Sequence, residues 1–177
     1  NSSLIARYIG SATFVTCATP SYLKCYGTPS YPEELKNGHR LVSFISPQNG
    51  KASPFRFERQ GEKKEIKIDH RIGINESNAH LAAALAGIGI VQTFSYSAGK
   101  AIEEGVLTEI LQEWRPAPYP FHVVYPQNRH VTHRLRVFIE WLLEIFFLNM
   151  PLRGLNTKKY ISIQFSRKWT IEAQLES

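Results

Sequence analysis

Residues 75–97 read NESNAHLAAALAGIGIVQTFSYS. Asn75, Glu76, Ser77 and Asn78 are helix-starting residues, because short polar side chains satisfy N–H groups that a first turn leaves without partners. The run Leu81, Ala82, Ala83, Ala84, Leu85, Ala86 behind them has high helix propensity and an apolar face, so a short helix is expected. Gly87 is placed to close it. Ile88, Gly89, Ile90 and Val91 then read as a buried strand, and 92–97 as a polar, aromatic loop at that strand's far end.

Such a unit suits the holding of small molecules. The free N–H groups of a helix start attract carboxylates and phosphates, and hydroxyls such as Ser77 and Ser95 near strand ends orient a ligand. A plainer reading stands beside this one, in which Asn75 and Ser77 only cap the helix. Periodicity does not choose between them.

Moving outward, 98–104 is a helical turn closed by Gly105, and 106–111 is a short strand ending near Trp114. Pro116, Pro118 and Pro120 make an extended crossover suited to a hinge. A strand follows over 121–126, and Thr132 is placed to cap a final amphipathic helix with Leu135, Phe138, Ile139, Leu142, Leu143 and Phe146 on its apolar side. Toward the N-terminus, a β-branched and aromatic strand over 12–18 ends at Thr19, Pro20 and Ser21, which open a short helix reaching Gly27. Pro32 starts another short helix, and 41–46 is the next strand with its turn at 47–50. Phe55 to Glu58 and Ile66 to Ile72 alternate with period two around a turn at 60–63. Their charges, Arg56, Glu58, Lys63, Lys64 and Lys67, form a solvated face opposite the aromatics. Strands alternating with helices argue for α/β lobes.

Composition narrows the classes. The chain has 177 residues, 43% of them apolar and 20% charged, enough for one core or two small lobes. Lys and Arg exceed Asp and Glu by 21 to 15, but much of that excess sits near the end, at Arg153, Lys158, Lys159, Arg167 and Lys168. Two cysteines, Cys17 and Cys25, match no disulfide framework or metal spacing, and both are expected to be reduced and buried. With no signal-peptide pattern and no membrane-length apolar run, the chain reads as cytoplasmic. There is no Gly-x-Ser-x-Gly elbow, and Gly87-x-Gly89 follows a helix where a dinucleotide fingerprint would open one. His130 and His133 share a helical face without a third ligand, and no cofactor is implied.

Asn75-Glu76-Ser77 with Ala79, then Ala84, Ala86, Gly87, Ile88, Gly89 and Ile90, resembles the effector-binding domain of LysR-type transcriptional regulators. Earlier residues fit as well: Ala18, Thr19, Pro20, Tyr22 and Leu23, then Gly27, Pro29, Pro32 and Leu35. So do Gly105, Leu107, Ile110, Leu111 and Trp114, and later Val137, Phe138, Ile139, Trp141 and Leu142. The resemblance covers roughly residues 1–148. It implies an α/β, periplasmic-binding-protein-like two-lobed fold, with one lobe complete and the other partial. Residues 1–12 would end the partial lobe, 13–117 form the second lobe, 118–148 return to the first, and 149–177 be an atypical tail. It also implies a small, anionic effector in the interlobe cleft, held on the second-lobe side by Ser46, Pro47, Asn75, Glu76, Ser77, Thr93, Phe94 and Ser95. The first-lobe partners, and the helix-turn-helix that contacts DNA, would lie in a preceding segment. The expected assembly is a homo-oligomer, a dimer for this chain and a tetramer for the full regulator, with the final helix or the tail buried in it and no membrane partner.

Two rivals share the fold. One is a solute-binding protein for uptake. The other is an enzyme whose acid/base pair would be Glu76 and His80, at i and i+4 on one helix face. Ile161, Ile163, Phe165, Trp169 and Ile171 in the tail fall on one face of an extended chain, while the charges around them equally allow disorder.

Overall fold

The computed structural model describes residues 4–67, 72–126 and 132–149. In chain order it contains strand β1 (Leu4–Ala12), strand β2 (Phe14–Ala18), helix α1 (Pro20–Tyr26), a 3-10 turn (Pro32–Lys36), and strands β3 (Val42–Phe44), β4 (Phe55–Arg59), β5 (Glu62–Ile66) and β6 (Ile72–Ile74). Helix α2 (Ser77–Leu85), strand β7 (Val91–Phe94), helix α3 (Ser95–Glu103) and strand β8 (Thr108–Ile110) follow, then a second 3-10 turn (Gln112–Trp114), strand β9 (Tyr119–Pro126) and helix α4 (His133–Asn149).

β2 lies between β7 and β8 and is antiparallel to both, with Phe14 opposite Phe94 and Thr16 opposite Ile110. β3 and β6 pair in parallel. A bridge between Leu41 and Ile90 joins that pair to the head of β7, through Ile90 N–H to the Arg40 carbonyl (2.8 Å) and Val42 N–H to the Ile90 carbonyl (3.0 Å). Side-chain alternation then assigns the faces. Val15 and Cys17 join Val42, Val91, Ala83, Ala84 and Ala98 under α2 and α3. Ala18 joins Tyr22, Leu23, Leu41, Phe57, Ile90 and Trp114 on the opposite side, under α1 and the β4–β5 hairpin. A smaller unit stands apart: β1 and β9 are antiparallel, and Ile139 and Leu143 of α4 bury Ile9 with Phe121, Val123 and Tyr125 packed around them. The two units are joined at Thr13, between β1 and β2, and at 115–118, ahead of β9.

Several elements depart from the sequence-based expectations. The strand expected over 88–91 begins at Val91, because Ile88 and Gly89 are spent reversing the chain after α2. The loop expected over 92–97 is instead the end of β7 and the first turn of α3, where Ser95 N–H bonds the Thr13 carbonyl at 2.8 Å. The hairpin turns on Gln60 and Gly61 alone, at φ +52° and +85°, the left-handed pair that a two-residue turn requires. Glu62 and Lys63 are already paired with Arg59 and Glu58. Ile72 belongs to β6 and pairs with β3, so it does not continue β5; residues 68–71 between them are outside the described set. Lys64 sits opposite Phe57 and so lies on the aromatic side, its Nζ 5.0 Å from the Trp114 ring centroid and paired with Glu33. Phe138, expected on the buried side of the last helix, is half exposed beside Trp141. Cys25 is exposed; only Cys17 is buried. His130 and residues 150–177 of the tail lie outside the described residues, as does the side chain of Phe146.

Candidate ligand-binding cavity

Ile74 of β6 hands the chain to α2, so the start of α2 lies at the same end of the sheet as the end of β3. Beyond β3, residues 45–52 fold back on themselves: Ile45 bridges Ala52, Ser46 N–H reaches the Lys51 carbonyl at 2.9 Å, and Ser53 N–H reaches the Phe44 carbonyl at 2.8 Å. Gln92 of β7 ties the hairpin in, its amide oxygen accepting from Arg56 N–H (2.9 Å) while its amide nitrogen donates to the Arg56 carbonyl (2.8 Å) and Thr16 Oγ1 (3.1 Å). These pieces enclose a cavity of about 440 Å³ at the place where the two units are joined.

Its walls come from six places in the chain. β3 and its loop supply Val42, Phe44, Ser46, Pro47 and Gln48. The approach to β4 supplies Ser53, Pro54, Phe55 and Arg56, α2 supplies Ser77 and His80, β7 supplies Gln92, Thr93 and Phe94, and the two crossings supply Phe14, Pro116, Ala117 and Tyr119. Aromatic rings line the crossing side: Phe14 stacks on Phe94 at 4.3 Å, and Tyr119 meets Phe94 edge-on at 6.2 Å. Arg56 is the charged side chain of the lining, and its guanidinium also holds Glu65 at 3.1 Å. No carboxylate lines the cavity among the described residues.

Five of the eight expected site residues, Ser46, Pro47, Ser77, Thr93 and Phe94, line this cavity; Asn75, Glu76 and Ser95 do not. Glu76 is the cap of α2, its carboxylate accepting the N–H groups of Asn78 (2.9 Å) and Ala79 (2.7 Å), and those bonds hold its pKa below the ordinary value. The N–H groups expected to draw a ligand anion therefore carry the chain's own carboxylate. Ser95 accepts from Thr13 Oγ1 at 2.8 Å and fastens α3 to the crossing. His80 is 2% exposed, with Nε2 placed 2.9 Å from the Val42 carbonyl. Burial pushes its pKa below 6.5, the carbonyl bond opposing this more weakly. Glu76 is bonded to the Asn78 and Ala79 N–H groups and His80, through Nε2, to the Val42 carbonyl. Phe14, Arg56, Gln92 and Tyr119 line the cavity although nothing local in the sequence marks them. His80 did carry a signal: an imidazole within an Ala/Leu run needs a buried partner.

Among the described residues no group of three or more His, Cys, Asp or Glu is placed to hold a metal ion, and no helix is long and apolar enough to cross a membrane.

Residues 1–146 match the family model for the LysR substrate binding domain. The chain is 35% identical over 141 residues to an uncharacterized HTH-type transcriptional regulator, YhjC of Escherichia coli, covering 78% of this chain and 46% of that protein. With the HTH-type transcriptional regulator CrgA of Neisseria meningitidis it shares 32% identity over 146 residues, 81% of this chain and 47% of the relative. The chain thus spans about half the length of the curated relatives it matches. The CrgA regulatory domain superposes with a TM-score of 0.67 at 32% identity, covering 81% of this chain and 69% of that one. The full-length Vibrio cholerae virulence activator AphB gives 0.69 at 27% identity, over 81% and 48%. These relatives are transcriptional regulators, which sets aside the uptake and enzyme readings. Family model, relatives and two-unit α/β architecture agree: the chain belongs to the LysR substrate-binding domain family, with its periplasmic-binding-protein-like fold.

Proposed function

We propose that this chain is the ligand-sensing part of a cytoplasmic LysR-type DNA-binding transcriptional regulator and that its effector is a small anion held in the cavity at the two crossings. The observation that carries the reading is the lining itself, which takes in Ser46, Ser53, Ser77, Thr93 and Arg56 and no carboxylate, the Glu65 partner of Arg56 lying outside it. An anion there draws on Arg56 and the hydroxyls, because Glu76 occupies the start of α2. The lobes divide near residues 12/13 and 117/118, so a ligand touching Phe14 and Tyr119 together with Thr93 bears on both crossings and favours one lobe arrangement over another. DNA contact belongs to a separate helix-turn-helix domain. The chain assembles as a homo-oligomer, a dimer that becomes a tetramer in the full regulator.

The test pairs a screen with two substitutions. Small carboxylic acids and their uncharged methyl esters are compared for thermal stabilisation of the full chain, and the acids are expected to stabilise it while the esters do not. Titration calorimetry of the best acid on Ser77→Ala and Thr93→Ala should then show affinity weakened by about tenfold with folding nearly intact, since Ser77 is not the cap of α2. Unchanged affinity in both variants removes the cavity as the effector site.

A further inference from the structure

We propose that His80 sets the specificity of this cavity, by presenting a bare imidazole nitrogen that selects an aromatic or heteroaromatic effector bearing a hydroxyl or ring N–H as well as its anionic group. This rests on the cavity being the effector site. The Val42 carbonyl is only an acceptor, so the imidazole nitrogen facing it at 2.9 Å carries the proton, and Nδ1 is left as a lone-pair acceptor. Nδ1 makes no hydrogen bond to any described residue. Yet no fully buried side-chain nitrogen or oxygen among the described residues is without a partner. Nδ1 therefore keeps a small accessible surface, and since the ring is only 2% exposed and lines the cavity, that surface opens there.

The surrounding groups sharpen the preference. Serine and threonine hydroxyls donate or accept and so discriminate little, and the Gln92 amide is spent on Arg56 and Thr16. With its one N–H given to the Val42 carbonyl, neutral His80 can only accept, at Nδ1. A ligand atom that also only accepts, such as an ether or carboxylate oxygen, would face it with two lone pairs opposed and no proton between them. Phe44 stands edge-on to the imidazole at 5.8 Å, and the stacked Phe14 and Phe94 rings form the crossing wall. Between such rings a flat aromatic body gains offset or edge-to-face contacts.

Para-hydroxybenzoate and para-methoxybenzoate share the ring and the carboxylate and differ at the para oxygen, which carries a proton in the first and a methyl group in the second. Titrated into the full chain by calorimetry, the hydroxy compound is expected to bind about tenfold tighter or better, since a site built around a hydrogen bond rejects the analogue lacking it. In His80→Phe that ratio should fall to about one while methoxybenzoate affinity is kept. Nitrogen-15 spectra of the unsubstituted chain give a readout that does not depend on the variant folding: hydroxybenzoate should move the Nδ1 resonance of His80, and methoxybenzoate should not. If both probes shift Thr93 and Phe94 resonances equally and leave Nδ1 where it was, the role of His80 is overturned and the cavity stands. If neither probe disturbs the cavity residues, the effector-site reading and this inference fail together.

Discussion

Cys17 has no exposed surface, and burial first and the Glu109 carboxylate second push its thiol up to about 12. Cys25, at the end of α1, is exposed. Iodoacetamide on the native chain at neutral pH should therefore add to Cys25 and spare Cys17, with both modified once the chain is denatured; mass spectrometry of the two digests checks it. The histidines give a pH dependence of definite sign. Burial is the main cause that lowers the pKa of both His80 and His39 below 6.5. The unfolded chain therefore binds more protons than the folded one just below pH 6.5, and stability falls as pH drops through that value. The stability that Glu33 and Glu76 gain from their lowered pKa is lost only as pH falls below the ordinary 4.5, so the window from about 5 to 6.5 reports the histidines. Denaturant midpoints at pH 7.5 and pH 5 should differ, and the difference should shrink in His80→Gln. An unchanged difference would mean that His80 is not held neutral in the fold.

The exit from α2 is built from three residues in sequence. Gly87, at φ +69°, donates to the Ala84 carbonyl at 2.9 Å and Ile88 donates to Ala83 at 3.2 Å, the paired bonds of a Schellman cap. Gly89 is constrained for a different reason: a Cβ there would lie 2.3 Å from the Arg40 carbonyl oxygen, which accepts the Ile90 N–H that joins β7 to β3. Gly99, inside α3, has open space where its Cβ would be and no left-handed backbone. Gly99→Ala should stabilise the chain by about 0.5–1 kcal/mol through helix propensity, whereas Gly89→Ala should cost about 1–3 kcal/mol because two backbone segments must separate. Urea midpoints of the two variants should move in opposite directions. The same sheet junction explains why a run of apolar residues at 88–91 begins its strand late: the first position able to pair with Leu41 is Ile90.

The outer face of α4 exposes Val137, Phe138 and Trp141 by about half, with the two rings 5.8 Å apart. An association surface on that face predicts that Trp141→Glu shifts the sedimentation profile of the full chain toward monomer without loss of helix signal. A wild-type chain already monomeric at micromolar concentration would remove the surface from consideration. The helices α2 and α3 cover one side of the β2-centred sheet, and α4 buries its inner face on β1 and β9. With these helices held in the fold, the chain by itself should show no operator-selective mobility shift at physiological salt, and any weak binding should fade as salt rises.

Local chemistry determined a good deal by itself. Thr19 followed by Pro20 marked the start of α1, and the structure places the Thr19 hydroxyl 3.2 Å from the Tyr22 N–H. Gly87 marked the end of α2, and Phe55 with Phe57 marked a half-buried strand. The motif order pointed to the family that the matches over residues 1–146 establish. These features depend on neighbours a few residues apart, where one residue's conformational preference or hydrogen-bonding group is enough. The tertiary structure alone decided that Lys64 would lie over Trp114, and that Phe14, Arg56, His80 and Tyr119 would share one cavity. Those outcomes follow from strand register and from two chain crossings that bring distant segments together, and no periodicity along the chain encodes such meetings.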